Sequence, residues 1–215
     1  MFKSNRKYSP YLCSRRKRCF DLLILLLVFL PAMMLMLVVA TAIWLSDRRP
    51  VLFVHERVGR FGRSFPMPKF RTLHKNSLPY EPSPQSINDE RIIGIGKYLR
   101  KHRLDELPQL FCVLSGSMSL VGPRPEQPQI AALYTPYHTK RLTAKPGLTG
   151  LWQLFGNRTK PIHHSMKFDL YYMRKASLWF DIKILIMTLG FIINPNHKSF
   201  NYEDCIYSYQ LAESN

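Results

Sequence analysis

The chain has 215 residues and a formal net charge of +17, so it can hold one globular domain of ordinary size and is expected to bind a polyanion. Nucleic acid, anionic lipid and a phosphorylated metabolite all satisfy that expectation. The four cysteines form no Cys-x-x-Cys pair and the seven histidines show no His-Glu-x-x-His spacing, which argues against a disulfide framework and a structural transition-metal site.

The N-terminal part divides into a basic segment and an apolar one. Residues 1–20 contain no acid, and residues 21–45 form an apolar run in which no side chain after Asp21 is charged. A run of this length indicates a membrane-embedded helix. A cleaved signal peptide is the alternative, but the run is too long and no small-x-small cleavage site precedes Asp47.

Pro31 lies inside this run and is predicted to kink or break the helix. The two halves, residues 22–30 and 32–45, would measure roughly 13 Å and 21 Å, and neither alone crosses a hydrocarbon core of about 30 Å. Basic residues flank both ends, and positive charge tends to stay cytoplasmic. A re-entrant hairpin bent at Pro31 satisfies both flanks, whereas a bitopic helix places one basic cluster outside. The re-entrant topology is favoured, and the bitopic one stays open.

Two extended segments, residues 51–54 and 65–72, predict a β-hairpin joined by a glycine-containing turn. Alternation in the second segment places Lys69 and Arg71 on one face and Phe70 on the other. The two cations are either anion contacts or part of a solvated edge. After a Pro/Ser-rich loop at residues 75–90, residues 97–101 predict a short basic helix that carries Arg100.

The most informative stretch sets two adjacent carboxylates, Asp105 and Glu106, before Pro108, with Arg124 further along the chain. Proline is accepted in the first turn of a helix, so a helix is predicted to begin near Asp105 and to run through Val113. A carboxylate nucleophile near a cation is what phosphoryl transfer needs. The alternative is that Asp105 is only an N-cap and Glu106 only a first-turn acid.

The C-terminal third predicts a long helical region from about residue 168. Residues 178–193 within it are mostly apolar and indicate a core or interfacial helix. Residues 196–215 are polar and are predicted to form a tail.

At the level of whole motifs the chain resembles the bacterial sugar transferases, which are monotopic phosphoglycosyl transferases that use a polyprenol phosphate acceptor. The resemblance extends from about Lys17 to Leu185. It departs from the usual pattern at Arg103 and at Leu30, where serine is frequent. The motifs that carry it, in chain order, are Lys17-Arg18-Cys19-Phe20-Asp21, His55-Glu56-Arg57-Val58-Gly59, Lys69-Phe70-Arg71-Thr72, Leu99-Arg100-Lys101, Leu104-Asp105-Glu106-Leu107-Pro108-Gln109, Val121-Gly122-Pro123-Arg124-Pro125, Pro146-Gly147-Leu148-Thr149-Gly150 and Asp169…Tyr172…Asp181.

The resemblance implies an α/β, mainly helical fold. It comprises a re-entrant N-terminal membrane helix and a small cytoplasmic domain, here residues 46–195, with a short β-hairpin and interfacial amphipathic helices. It places the protein in the bacterial inner membrane with the catalytic domain facing the cytoplasm. It implies transfer of sugar 1-phosphate from a UDP-sugar to undecaprenyl phosphate, with Mg²⁺ as cofactor, and leaves the sugar and the formation of a homodimer open.

The resemblance also implies that Asp105 and Glu106 are the catalytic pair. Asp105 would attack the sugar-linked phosphate. From the residues themselves, Glu106 is expected to be a magnesium ligand or a proton acceptor, and Asp105 is a second candidate ligand for Mg²⁺. Substrate contacts are expected from five further residues, of which Asp169 follows from the family pattern only: Lys69, Arg71, Arg100, Arg124 and Asp169.

Positive charge around Asp105 is expected to keep its carboxylate ionised. The rival hypothesis is a membrane-tethered basic protein that binds nucleic acid or anionic lipid through its net charge alone. A nucleic-acid binder usually interleaves aromatic residues with its basic patch, whereas the aromatic clusters here lie next to apolar helices. Nucleic acid is therefore not the expected partner.

Overall fold

The structure is a computed structural model that describes residues 8–75, 84, 86, 88–156 and 166–194. The chain is mainly helical with two small two-stranded sheets; the resemblance implied the mainly helical fold and one hairpin, and the second sheet was not predicted. Most of the 75–90 loop and the predicted tail at residues 196–215 lie outside the described residues.

Helix α1 spans Arg15–Asp47, and the Ser14 side chain caps it by accepting a hydrogen bond from the Lys17 backbone N–H. The helix continues through Pro31 as one element, so a break at Pro31 is absent, while the alternative of a kink at Pro31 stays a prediction. Proline removes a single backbone hydrogen bond, and the helical residues on both sides tolerate that loss. Among the described helices, α1 is the one that is long and apolar enough to cross a membrane.

The N-terminal end of α1 is attached to the rest of the domain by buried polar contacts. The Lys17 Nζ lies 2.6 Å from Asp181 Oδ2. Asp21 accepts a 2.7 Å hydrogen bond from the Ser119 hydroxyl. A buried ion pair of this kind is costly to separate, so this end of the helix is firmly held.

The C-terminal end of α1 is attached to the same domain. Arg71 forms an ion pair with Asp47 and also donates to the Asp47 backbone carbonyl at 3.0 Å. Between the two ends, the Phe29 ring meets the Phe111 ring edge-on, with centroids 6.0 Å apart. Helix α1 therefore lies along the domain and contacts it at both ends.

The predicted hairpin is confirmed. Strand β1, Leu52–Val58, pairs antiparallel with β2, Ser64–Phe70, and Phe53 lies opposite Lys69. Side chains alternate between the two faces of such a ribbon. One face consequently carries Phe53, His55 and Arg57 from β1 beside Lys69 from β2.

The predicted basic helix is confirmed as α2, Gly94–Lys101. The helix predicted from Asp105 to Val113 is present in two pieces. A 3₁₀ helix, Leu104–Gln109, follows and continues into α3, Leu110–Ser115. Pro108 lies inside the 3₁₀ segment, where its missing N–H and its ring prevent a regular α-helical turn.

The remainder of the domain packs behind these elements. Strand β3, Ser119–Val121, pairs parallel with β4, Gly147–Thr149. Helix α7 has the predicted bounds, 178–193. The helices of this part are α4 Pro128–Ala131, a 3₁₀ helix His138–Thr143, α5 Leu151–Phe155, α6 Met166–Lys175 and α7 Leu178–Ile193.

Candidate active site

The acid pair lies in the first turn of the 3₁₀ helix, directly after a tight turn at Arg103. Arg103 has a φ of 55° and caps nothing with its side chain. Its guanidinium donates to the Gln153 carbonyl at 2.5 Å and stacks on the Phe191 ring at 4.7 Å. The N-cap alternative for Asp105 is therefore wrong, because the cap position belongs to Arg103.

Asp105 is a partly buried carboxylate whose pKa is raised to about 7, first by burial and then by the neighbouring charge of Glu106. Lys69 and Arg100 act in the opposite direction and lower this pKa. The expectation that surrounding cations keep Asp105 fully ionised is thus wrong for the protein alone. Two desolvated carboxylates side by side repel one another, so the pair favours an additional bound cation.

Lys69 and Arg100 are close to Asp105 and have free donors. Neither side chain makes a hydrogen bond or an ion pair with a described residue, although the Lys69 Nζ lies 5.4 Å from the Phe53 ring centroid. Burial lowers the pKa of Lys69. Their unused N–H groups make Lys69 of the hairpin and Arg100 of α2 well placed to contact an anion.

Arg124 completes the group from the opposite side. Its Nη1 lies 3.9 Å from Glu106 Oε1, and its guanidinium lies over the Trp152 ring at 5.1 Å. Arg141 donates to the Arg124 backbone carbonyl at 2.6 Å. The Arg124 side chain is about one third exposed, so its charge is held in place and still accessible to a ligand.

Asp169 does not reach this group. It is 1% exposed and accepts hydrogen bonds from Arg141 Nε at 2.8 Å and Arg141 Nη2 at 2.5 Å. Because the same guanidinium holds the Arg124 carbonyl, Asp169 acts on the site through Arg141. The structure supports a positioning role for Asp169 and offers no route for direct contact with a substrate.

Arg71 is also separate from the group. It follows the last residue of β2, and all five of its N–H donors are used within the protein. They bond the Asp47 carboxylate and the backbone carbonyls of Asp47, Arg48, Pro50 and Leu73. The side chain is 6% exposed. Arg71 therefore holds the end of α1 and is not free to contact a phosphate.

Three further residues border the site, and the sequence assigned none of them a role there, although His55 and Arg57 lie in one of the family motifs. His55 has two buried ring nitrogens without a partner among the described residues, and the same holds for Arg57 Nε and Trp152 Nε1. Burial and nearby cations lower the pKa of His55 to about 3, so its ring is neutral. Buried polar atoms are normally paired, so these four atoms have unused hydrogen-bonding capacity that a polar ligand could satisfy. Strand alternation with Lys69 could have identified His55 and Arg57 in advance.

A magnesium ion fits the acid pair only if the substrate supplies ligands. No group of three metal-ligating side chains occurs within the described ranges. Mg²⁺ is commonly held by one or two carboxylates together with substrate phosphates. Asp105 and Glu106 would supply those carboxylates, and their mutual repulsion favours a cation.

Comparison with known proteins agrees with the motifs. The sequence model of the bacterial sugar transferase family matches residues 12–195. The chain is 37% identical over 195 residues to the undecaprenyl-phosphate galactose phosphotransferase of Salmonella typhimurium, which covers 82% of the chain and 40% of that protein. It is 42% identical over 163 residues to the UDP-glucose:undecaprenyl-phosphate glucose-1-phosphate transferase of Xanthomonas campestris pv. campestris, covering 72% of the chain and 34% of that protein.

A third relative is named for another sugar. The UDP-N-acetylgalactosamine-undecaprenyl-phosphate N-acetylgalactosaminephosphotransferase of Aeromonas hydrophila is 36% identical over 165 residues, covering 74% of the chain and 39% of that protein. The chain spans 40% or less of the length of these three relatives. Their names share undecaprenyl phosphate and differ in the sugar.

Proposed function

This chain belongs to the bacterial sugar transferase family, and on that premise we propose that it transfers sugar 1-phosphate from a UDP-sugar to undecaprenyl phosphate. The products are UMP and undecaprenyl-diphosphate-sugar, and the reaction initiates the synthesis of a surface polysaccharide. The observation that carries the proposal is the adjacent carboxylate pair between the unused cations of Lys69 and Arg100 and the exposed guanidinium of Arg124.

The proposed reaction has two displacements at one phosphorus atom. An oxygen of Asp105 forms a bond to the sugar-linked phosphorus of the donor, and the bond from that phosphorus to the bridging oxygen breaks, so that UMP leaves. A phosphate oxygen of undecaprenyl phosphate then bonds to the same phosphorus, and the Asp105 carboxylate is released. Neither step requires net proton transfer.

The other residues supply charge and position. Lys69, Arg100 and Arg124 offset the negative charge of the phosphoryl group in both steps, because preorganised cations are most effective in a partly desolvated site. Mg²⁺, held by the two carboxylates and by phosphate oxygens of the substrate, would neutralise the diphosphate of the donor. The Glu106–Arg124 contact at 3.9 Å is loose enough for both groups to turn to a ligand.

Helix α1 is proposed to enter the inner membrane and return to the cytoplasmic side. The support is that Lys17 at one end and Asp47 at the other contact the same domain. A helix held in this way cannot place its ends on opposite sides of a membrane unless one of these contacts breaks. The apolar side chains that α1 leaves exposed, such as Leu26 and Leu27, would face lipid.

The activity is tested with the purified full chain in a membrane mimetic, Mg²⁺ and a panel of UDP-sugars without acceptor lipid. The accepted donor should release up to about one equivalent of UMP and leave a phosphosugar on Asp105, detected by intact-mass and peptide analysis. Asp105→Asn should give neither. UMP release only in the presence of acceptor, with no adduct, would indicate direct transfer. No UMP from any donor, together with salt-sensitive binding to oligonucleotides, would favour the rival hypothesis.

The topology is tested with two single-cysteine proteins. One keeps Cys13 alone, at the base of α1, and the other carries Arg63→Cys in a cysteine-free background. Both should resist a membrane-impermeant maleimide in intact cells and react after lysis. Labelling of Cys13 from outside, with Arg63→Cys protected, would establish a bitopic helix.

A further inference from the structure

A second cationic cavity lies at the base of α1. It measures about 180 Å³ and is lined by the first turn of α1, by Arg60 of the β1–β2 turn and by Lys145 before β4. A neighbouring cavity of about 350 Å³ shares Arg60 and Lys145. The volume is far more than a single water molecule needs, so the space can hold a polar group.

The charge of the first cavity is strongly positive. Four of its lining cations have no carboxylate partner among the described residues. Its one acid, Asp21, is already engaged by Lys17 at 3.4 Å, by the Ser119 hydroxyl and by the Leu120 N–H. The four unpaired cations are Arg15, Arg18, Arg60 and Lys145.

Two of these cations are held in place by neutral partners. Arg18 donates to the Val113 and Leu114 carbonyls at 2.6 Å and 2.8 Å. Arg60 donates through Nε to the Thr143 carbonyl at 3.0 Å. These bonds fix the positions of the guanidinium groups and leave their charge uncompensated.

The cations converge over Gly116. A Cβ placed on Gly116 would lie 3.5 Å from Lys145 Nζ and 3.6 Å from Arg18 Cζ. The two charges are therefore within about 7 Å of each other, where like charges repel appreciably. Burial lowers the pKa of Lys145, and Arg18 and Arg60 lower it further. A small anion between them would relieve this repulsion.

The end of α1 adds a further positive charge. Its first turn contains no acidic residue, and the four residues 15–18 are all basic. The N-terminus of a helix carries the positive end of its dipole, so cations there are unfavourable and an anion is favourable.

This cavity is distinct from the acid-pair site. Ser64 and Phe65 border the neighbouring cavity at the beginning of β2, whereas Lys69 faces Asp105 near the end of that strand. Four to five steps along the strand, roughly 13 to 16 Å, separate these residues from Lys69. The cavity also lies where α1 changes from basic to apolar, at the level of Leu22.

We propose that this cavity is a second anion site that binds a phosphate mono- or diester, the group that an anionic phospholipid headgroup presents at that level. The site would hold α1 and the domain at a fixed height in the membrane surface. It requires Arg15 and Lys145 as charge donors and does not depend on the chemistry at Asp105.

The test compares four forms of the full chain in detergent at fixed salt: wild type, Arg15→Gln/Lys145→Gln, Lys97→Gln/Lys101→Gln and Lys145→Arg. The third is a matched control, because Lys97 and Lys101 are exposed lysines of α2. The probes are dihexanoyl-phosphatidylglycerol below its micelle concentration, inorganic phosphate and dihexanoylglycerol, which has no phosphate. Binding is measured as a dissociation constant by calorimetry, and circular dichroism checks the fold.

The dissociation constants of phosphatidylglycerol for the wild type, the control and Lys145→Arg should agree within about twofold. The pocket variant, Arg15→Gln/Lys145→Gln, should bind it at least tenfold more weakly, which is the scale of losing two charge-assisted contacts. Tighter binding of phosphatidylglycerol than of phosphate would identify a lipid headgroup as the ligand, and the reverse would identify free phosphate at the same site. Equal affinity of pocket variant and control, or equal binding of dihexanoylglycerol, would overturn the proposal.

Discussion

Replacing Asp105 by asparagine should stabilise the metal-free protein, and the gain should depend on pH. The pKa of Asp105 is raised to about 7 from a usual value of 3.8. Between these pH values the unfolded chain has released the proton and the folded chain has kept it, so the free energy of unfolding of the wild type falls as pH rises. Above about pH 7 the Asp105 carboxyl is ionised in both the folded and the unfolded chain, and the free energy of unfolding falls no further.

The magnitude follows from the size of the shift. About three pKa units correspond to about 4 kcal/mol at 1.36 kcal/mol per unit. Partial exposure of the carboxylate and its coupling to Glu106 reduce this, so we expect about 2 kcal/mol at pH 8. For a chain of this length that gain raises the melting temperature by about 5 °C. At pH 4 the two proteins should melt together.

The measurement is thermal unfolding of wild type and Asp105→Asn in EDTA, at intervals from pH 4 to pH 8. Asp89→Asn is the matched control. Hydrogen bonds from Arg91 lower the pKa of Asp89 to about 2, so this substitution should give no stabilisation at pH 8. A difference between Asp105→Asn and wild type that does not grow with pH would refute the assignment of a desolvated, repelled carboxylate pair.

Three further predictions concern the same group of residues. Mg²⁺ should raise the melting temperature of the wild type at pH 8 and have a clearly smaller effect on Asp105→Asn, because the cation relieves the repulsion between the carboxylates; equal shifts in both proteins would place the metal elsewhere. Arg124→Ala should slow sugar-phosphate transfer about 10²–10³-fold. Arg124→Lys should recover only part of the lost rate, because lysine keeps the positive charge but not the planar guanidinium fork. Full activity in Arg124→Ala would show that this residue is structural. Asp169→Asn should lower the free energy of unfolding by about 3 kcal/mol, because it leaves the buried Arg141 partly unpaired; an unchanged melting temperature would contradict the ion-pair assignment.

Local patterns in the sequence were sufficient for the elements near the site. Strand alternation and the glycine turn predict the hairpin, and apolar content predicts α7 to the residue. Asp105 and Glu106 are consecutive in the sequence, so the pair can be identified without knowledge of the fold. Alternation gives the face on which Lys69 lies, but only the structure shows that this face is turned toward Asp105.

The predictions for individual residues fail where contacts between distant parts of the chain determine the environment of a side chain. Alternation groups Arg71 with Lys69, but β2 ends at Phe70, and beyond a strand end the rule of two faces no longer applies. The raised pKa of Asp105 depends on burial, which the count of nearby arginines cannot reveal. Asp169 is chemically suited to bind a ligand, and only its complete burial against Arg141 shows that it acts indirectly.

The placement of Arg71 connects the membrane helix to the site. Arg71 bonds the last residues of α1, and Lys69 lies two residues earlier in the chain, within strand β2. A rigid two-residue connection of this kind, roughly 7 Å of extended chain, transmits the position of the helix end to the cation that faces Asp105. An acceptor whose phosphate is confined to the membrane surface must meet the acid pair at a defined height. We therefore expect the buried guanidinium of Arg71 to influence the proposed transfer by fixing that height, without touching either substrate.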